Sequence, residues 1–340
     1  MSGLGSGRAP RLVVLADGVV LPATDAFVVS NNHFAADRFR VSAVASLAPP
    51  GLIDGDGVML DVQVWLDGAV TSLVQGAVDS LDYDPTSGRL HLSGRDLSAS
   101  LLESRTQETF SNRTASEIVT ILAGRHGLSA DVTATTTPVG RYWQLEHDRL
   151  VLDQFARATT EWDLLVTLAQ FEGFDLWVSG NALRFHPQQA DETVPTALRA
   201  AATAAGPANV MCLELHRSLT LARDIVVTVK SWNNRQANAF VQTASKGRGF
   251  RALNYVYVVP NLSPDDARRL AQRKLAELSQ HERVMVAEMP GDLFSAPRQA
   301  VRVEGTMTSF DQVYWIDRVE RHLSVAHGFT QTLHARNSSE

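Results

Sequence analysis

Glu146, His147 and Asp148 stand together in the run QLEHDRL. Carboxylates beside a histidine are the groups general acid–base catalysis uses. Neighbours in sequence point in different directions on a helix or a strand, so adjacency alone builds no shared site. The plain reading is a solvated helix entry. Glycosidase chemistry needs one pair of carboxylates and no motif, so Glu146 and Asp148 are the first residues to change in a test for hydrolysis. IDGDGV (Ile53–Val58) begins like a calcium loop, but the later ligands and the closing glutamate are missing. That leaves a β-turn.

SKGRGFR (Ser245–Arg251) sets Lys246, Arg248 and Arg251 in a glycine-rich loop between strand patterns. It suits a phosphate or DNA contact, a loop ordered by a protein partner, or a plain solvated turn. Cys212, in the apolar run NVMCLEL, reads as a buried inert thiol rather than a nucleophile. His126 before Gly127 suits a helix C-terminus, where a cation is favoured. His322 and His334 fall in alternating strands and are expected to face solvent. GLGSG at residues 3–7 has no strand before it, so it lacks the context of a nucleotide loop. G-x-S-x-G, H-E-x-x-H and C-x-x-C are all absent. Trp65, Trp143, Trp162, Trp177, Trp232 and Trp315 do not cluster with basic residues as a base-stacking platform would. The expectation is a chain with no catalytic, cofactor-binding or metal-binding residue.

Bulk properties agree. A chain of 340 residues holds two or three domains. Its formal charge of −6 argues against a surface built to wrap DNA. One cysteine excludes an internal disulfide. The N-terminus lacks the apolar core of a signal peptide, and no apolar run approaches the roughly 20 residues that span a bilayer. The expected setting is a reducing cytoplasm, without membrane insertion.

The elements that would position any site come in three blocks. Residues 11–95 alternate as short strands, with turns at Asp17-Gly18, Asp67-Gly68 and Pro85–Gly88. Phe39, Val41, Ala43 and Ala45 share one face. This reads as a first β-barrel domain. Residues 96–187 form an α/β middle region. Thr114 and Glu117 make a capping box, and Gly127 ends that helix. Thr160 caps a second helix carrying Trp162, Leu165, Leu168 and Ala169 on one face. Gly173 stops it, and a hairpin turning at Ser179-Gly180-Asn181 follows. Residues 188–210 read as a surface connection. Residues 211–336 read as a second β-barrel domain with one inserted helix, 263–281, in which Ser263 caps, Pro264 takes the first position, and Asp265 and Asp266 favour the positive end of the dipole. The fold class expected is α+β, mainly β: two small β-barrel-like domains with an α/β middle.

Several segments together resemble the late control D family, the baseplate hub proteins of contractile-tailed phages, with which the hub half of the type VI secretion spike protein belongs. They are LHLSGRDLSASLLES (Leu90–Ser104), TASEIVTILAGRHGL, the stretch TTEWDLLVTLAQFEGFDLWVSGNALRFHP, the helix SPDDARRLAQRKLAEL and the strand VYWIDRVERHLSV. The resemblance covers most of residues 11–335, and the order and spacing of the segments carry it. It implies a homotrimer in which three subunits present six barrels, matching a sixfold tail tube to a threefold spike. It implies a spike protein, a tail tube or tube-initiator protein and other baseplate proteins as partners, with DNA or an effector only passing through the lumen. An acidic lumen wall would avoid sticking to phosphate. The chain would be made in the host cytoplasm and assembled into a virion or tail-like particle. Lacking an extra barrel, a β-helical needle and a lysozyme segment, it would leave the spike and any lytic activity to other chains. The competing expectation is a tail-associated cell-wall-degrading or carbohydrate-active enzyme.

Overall fold

The computed structural model describes residues 10–32, 34–55, 57–66, 68–105, 110, 112–136, 138–139, 160–188, 195–202, 206–231, 240–247, 252–259, 262, 264–325 and 328–337. The class is the one expected, mainly β with few helices.

The first β region comprises β1 (Arg11–Ala16), β2 (Val19–Val20), β3 (Ala23–Asn31), β4 (Arg38–Val44), β5 (Met59–Leu66), β6 (Ala69–Asp84) and β7 (Arg89–Asp96). Asp17 and Gly18 both take positive φ, 48° and 81°, the conformation of a tight hairpin turn, and β1 pairs β2 directly across it. In β4, Phe39, Val41 and Ala43 are buried, while Arg38 and Arg40 face out. The period-two pattern thus makes one face of the sheet a core, shared with Val28, Val62, Leu90 and Leu92. Each of the Phe, Val and Leu side chains contributes about 1.5–3 kcal/mol by leaving water.

The middle region comprises α1 (Ala99–Glu103), α2 (Ala115–Arg125), β8 (Ser129–Val132), α3 (Glu161–Glu172), β9 (Phe174–Ser179) and β10 (Ala182–Pro187). Both capping boxes form, Thr114 with Glu117 and Thr160 with Asp163. Gly173 takes φ 74° and ends α3. The three strands make a small sheet in the order β8-β10-β9. Ile118, Leu122, Leu165, Leu168, Leu183 and Phe185 form its core.

The remaining strands are β11 (Thr196–Leu198), β12 (Cys212–Arg217), β13 (Ile225–Ser231), β14 (Phe240–Lys246), β15 (Leu253–Val258), β16 (Arg283–Pro290), β17 (Ala300–Val303), β18 (Val313–Ser324) and β19 (Gly328–Asn337), with helix α4 (Pro264–Ser279) between β15 and β16. Pro264 opens α4, with Asp265 and Asp266 in its first turn. Ser263, its expected cap, lies outside the described residues.

Three arrangements differ from the sequence reading. First, the sheets are not closed barrels. β3 pairs β4 on one side and β18 on the other, so neither edge is left for β1. One continuous path runs β12-β16-β19-β18-β3-β4-β7-β6-β5-β1-β2. Second, the strands of residues 211–336 divide between two sheets, and the inserted helix α4 packs on the smaller one. It lies on a separate three-stranded sheet, β14-β13-β15, with Ala267 and Ala271 against Ile225, Val227 and Val229. Third, the stretch read as a surface connection contributes β11, which pairs β17 in parallel and buries Leu198 fully.

Candidate functional site

The two β regions meet where β18 lies antiparallel to β3, from Asp25↔Ser324 to Asn31↔Arg318. On the outer face of this seam, His322 Nε2 sits 2.5 Å from Asp25 Oδ2, and its ring meets Phe27 edge-on at 6.3 Å. Beside it, Glu320 contacts both Arg318, at 2.9 Å, and His334, at 3.5 Å. Burial and the Arg318 charge push the His334 pKa down. Under the seam, Val64, Leu66, Leu323 and Phe329 form a dry cluster that takes side chains from both regions. Arg321 is buried there, donating to the carbonyls of Asp292 and Ser295.

A second junction joins the sheet to the middle region, and it explains the Gly94-Arg95-Asp96 run. Gly94 sits where β6 and β7 approach closely: a Cβ there would lie 2.0 Å from the Ala77 carbonyl oxygen and 2.5 Å from the Phe39 ring. Only glycine fits. Arg95 forks onto Asp79, 2.6 Å, and reaches Glu103 of α1, 2.5 Å. Asp96 is buried and accepts from the backbone and hydroxyl of Ser98, setting the start of α1. It also accepts from the Asp37 backbone at 3.2 Å. Asp37 in turn accepts from the Asn31 backbone. Burial, then the nearby Asp96 charge, raises the Asp37 pKa to about 7. Arg298 comes to this cluster from the β16–β17 loop. It holds φ 73°, stacks 4.2 Å over Trp177 of β9 and donates to the Asn31 carbonyl. Trp162 of α3 donates its indole N–H to the Phe34 carbonyl at 2.8 Å. The β3–β4 connection is thus held by both β regions and by the middle region.

The residues singled out by sequence are scattered. Cys212 is exposed, not buried. Among the described residues β12 pairs only β16, and alternation turns Cys212, Glu214 and His216 outward while Leu213 and Leu215 are half-buried. His126 does cap α2, but it faces a specific anion. Its Nε2 is 2.5 Å from Glu161 Oε2, and Arg125 holds the other oxygen of that buried carboxylate at 2.9 Å. His322 and His334 lie on the outer face as expected, but each is half-buried beside a carboxylate, Asp25 and Glu320 respectively. Lys246 pairs with Glu282, which Arg217 also holds. Together they draw the Glu282 pKa down against the opposing effect of burial. Residues 3–7, Arg248, Arg251, Trp143, Trp232, Ser263 and the Glu146-His147-Asp148 run lie outside the described residues, as does Asp56 of the Ile53–Val58 turn. Among the described residues, no group of three His, Cys, Asp or Glu is placed to hold a metal ion, and no helix is long and apolar enough to cross a membrane.

Sequence reasoning missed one row with the composition of a hydrolase. Asp82, His91 and Ser42 face one another across β6, β7 and β4, and Ser42 Oγ lies 3.0 Å from His91 Nδ1. The row lies along a strand surface. Among the described residues Asp82 makes no hydrogen bond to His91, so nothing orients the imidazole as a triad requires.

The charged groups of the seam and the junction are engaged in joining elements, the pattern of a β-rich scaffold. The family of phage tail baseplate hub (GPD) proteins matches residues 38–326, so the chain belongs to the phage tail baseplate hub family. Over 98% of its length it matches a tail protein from Neisseria meningitidis MC58, covering 97% of that chain at 17% identity and a TM-score of 0.73. It matches the 43 kDa tail protein of prophage MuSo2 from Shewanella oneidensis over 96% of both chains, at 16% identity and a TM-score of 0.69. It also matches the E. coli c3393 protein, a type VI secretion component described as structurally similar to bacteriophage T4 tail proteins gp27 and gp5. There it covers 96% of this chain and 77% of that one, at 12% identity and a TM-score of 0.61. No curated protein matches in sequence.

Proposed function

We propose that this chain is a non-catalytic hub that assembles as a homotrimeric ring, adapting a sixfold tail tube to a threefold spike. The observation that carries the reading is the β3–β18 ladder. It sets the strands of residues 11–95 beside β12 and β16–β19 of the 211–336 region in one sheet, so three chains offer six β regions. The 96–187 region buttresses them through Trp162 and Trp177. The partners are the spike protein, the tube or its initiator and other baseplate proteins, with DNA or an effector passing through the lumen. Synthesis in a bacterial host cytoplasm precedes assembly into the particle.

Light scattering at several concentrations tests this. The expected mass is about three times the 37.1 kDa of one chain. A stable dimer overturns the reading, because closed threefold symmetry is what the adaptor needs. So does a monomer that persists when the spike chain is co-expressed. Peptidoglycan hydrolysis lost on Glu146→Gln or Asp148→Asn would replace the hub with the enzyme.

A further inference from the structure

On the outer face of the large sheet, Phe27, Val29, Arg38, Arg40, Asp79 and Arg95 help to line a cavity of about 410 Å³. Its charges are unbalanced. Arg95 is held by Asp79 and Glu103. Arg38 and Arg40 are exposed and have no ion-pair partner among the described residues. Arg38 also stands directly opposite Arg95 in the ladder, an arrangement of like charges that costs stability. Two exposed guanidiniums thus stand beside an apolar floor of Phe27 and Val29.

We propose that this cavity docks an acidic segment of a partner protein, with carboxylates on Arg38 and Arg40 and an apolar side chain between them on Phe27 and Val29. The two arginines are i and i+2 on one strand face, roughly 6.7 Å apart along it. Acidic residues at alternate positions of an extended peptide have the same spacing, and a guanidinium receives a carboxylate through two parallel hydrogen bonds. A nucleic acid fits less well. It needs a run of phosphate contacts, whereas Asp79 is on the rim and Asp82 and Asp84 continue along the same strand. The proposal stands apart from the trimer, since it uses only one chain.

The test is fluorescence anisotropy at low salt with a dye-labelled Glu-Leu-Glu-Leu-Glu peptide, its Lys-Leu-Lys-Leu-Lys counterpart and a single-stranded oligodeoxynucleotide. The intact chain is expected to bind the acidic peptide alone, and more weakly as salt rises. The Arg38→Gln, Arg40→Gln double variant should bind it at least about tenfold less tightly, while Arg89→Gln, on the same face but outside the cavity, should leave binding unchanged. Should the double variant not fold, Arg40→Lys keeps the charge and loses the fork, and a several-fold loss of affinity is expected. Absence of binding, equal binding of the two peptides, preference for the oligonucleotide, or unchanged affinity in the cavity variants each overturns the proposal.

Discussion

The backbone N–H of Asp37 donates to the carboxylate of Asp96, 59 residues away in sequence, at 3.2 Å, and both side chains are largely withdrawn from water. Burial first, and then the Asp96 charge, disfavours ionisation of Asp37.

Stability should therefore fall as pH rises. The folded-state pKa of Asp37, about 7, lies well above the ordinary range of an aspartate. Its contribution is complete below about pH 4 and is lost as pH rises through 7. Thermal unfolding followed between pH 5 and 8 should show a midpoint that drops by several degrees. Asp37→Asn keeps an acceptor for the Asn31 N–H and should flatten the profile. A wild-type midpoint that rises over this range would contradict the assignment.

Gly94→Ala should not be tolerated. The added methyl would press on the Ala77 carbonyl and the Phe39 ring at 2.0 and 2.5 Å, and backbone cannot step aside within a ladder. A loss on the order of 3 kcal/mol or more is expected, read as insoluble protein or a much lower urea midpoint. A soluble Gly94→Ala protein of wild-type midpoint would refute the close approach of β6 and β7.

Trp162→Phe should cost about 1–3 kcal/mol. It removes the donor to the Phe34 carbonyl and part of a side chain only 3% exposed in the middle core. Urea unfolding monitored by far-UV circular dichroism measures it. The equivalent change at Trp65, which stacks with Arg11 at 5.1 Å, should cost clearly less.

Glu161→Gln should destabilise by about 1–3 kcal/mol, because it leaves Arg125 and His126 without their shared carboxylate. The same unfolding assay applies. A neutral result would show that helix-dipole effects alone seat His126.

Cys212 should react with a maleimide in the native protein, to one equivalent and without denaturant, because β12 is an outer strand that turns it to solvent. Labelling only after unfolding would restore the buried reading.

Local rules determined the parts of this protein that are local. Thr114 with Glu117, the Thr160 cap, Gly173, Pro264 and the Asp17-Gly18 turn act through backbone geometry within four residues, so their spacing is legible in the chain. Alternation likewise exposed the buried face of β4. The opposite face was equally visible in Arg38 and Arg40, but no spacing rule said that Arg95 would stand across from Arg38. Order and spacing of weak motifs were enough for the family resemblance. Tertiary structure alone decided that β3 takes β18 rather than closing on β1, that α4 covers its own sheet, and that β12 is an edge that exposes Cys212. It also decided that Asp37, Asp96 and Arg298 converge. Those outcomes depend on which strand edges and buried charges find each other across tens to hundreds of residues, and period-two alternation marks a buried face without naming its partner.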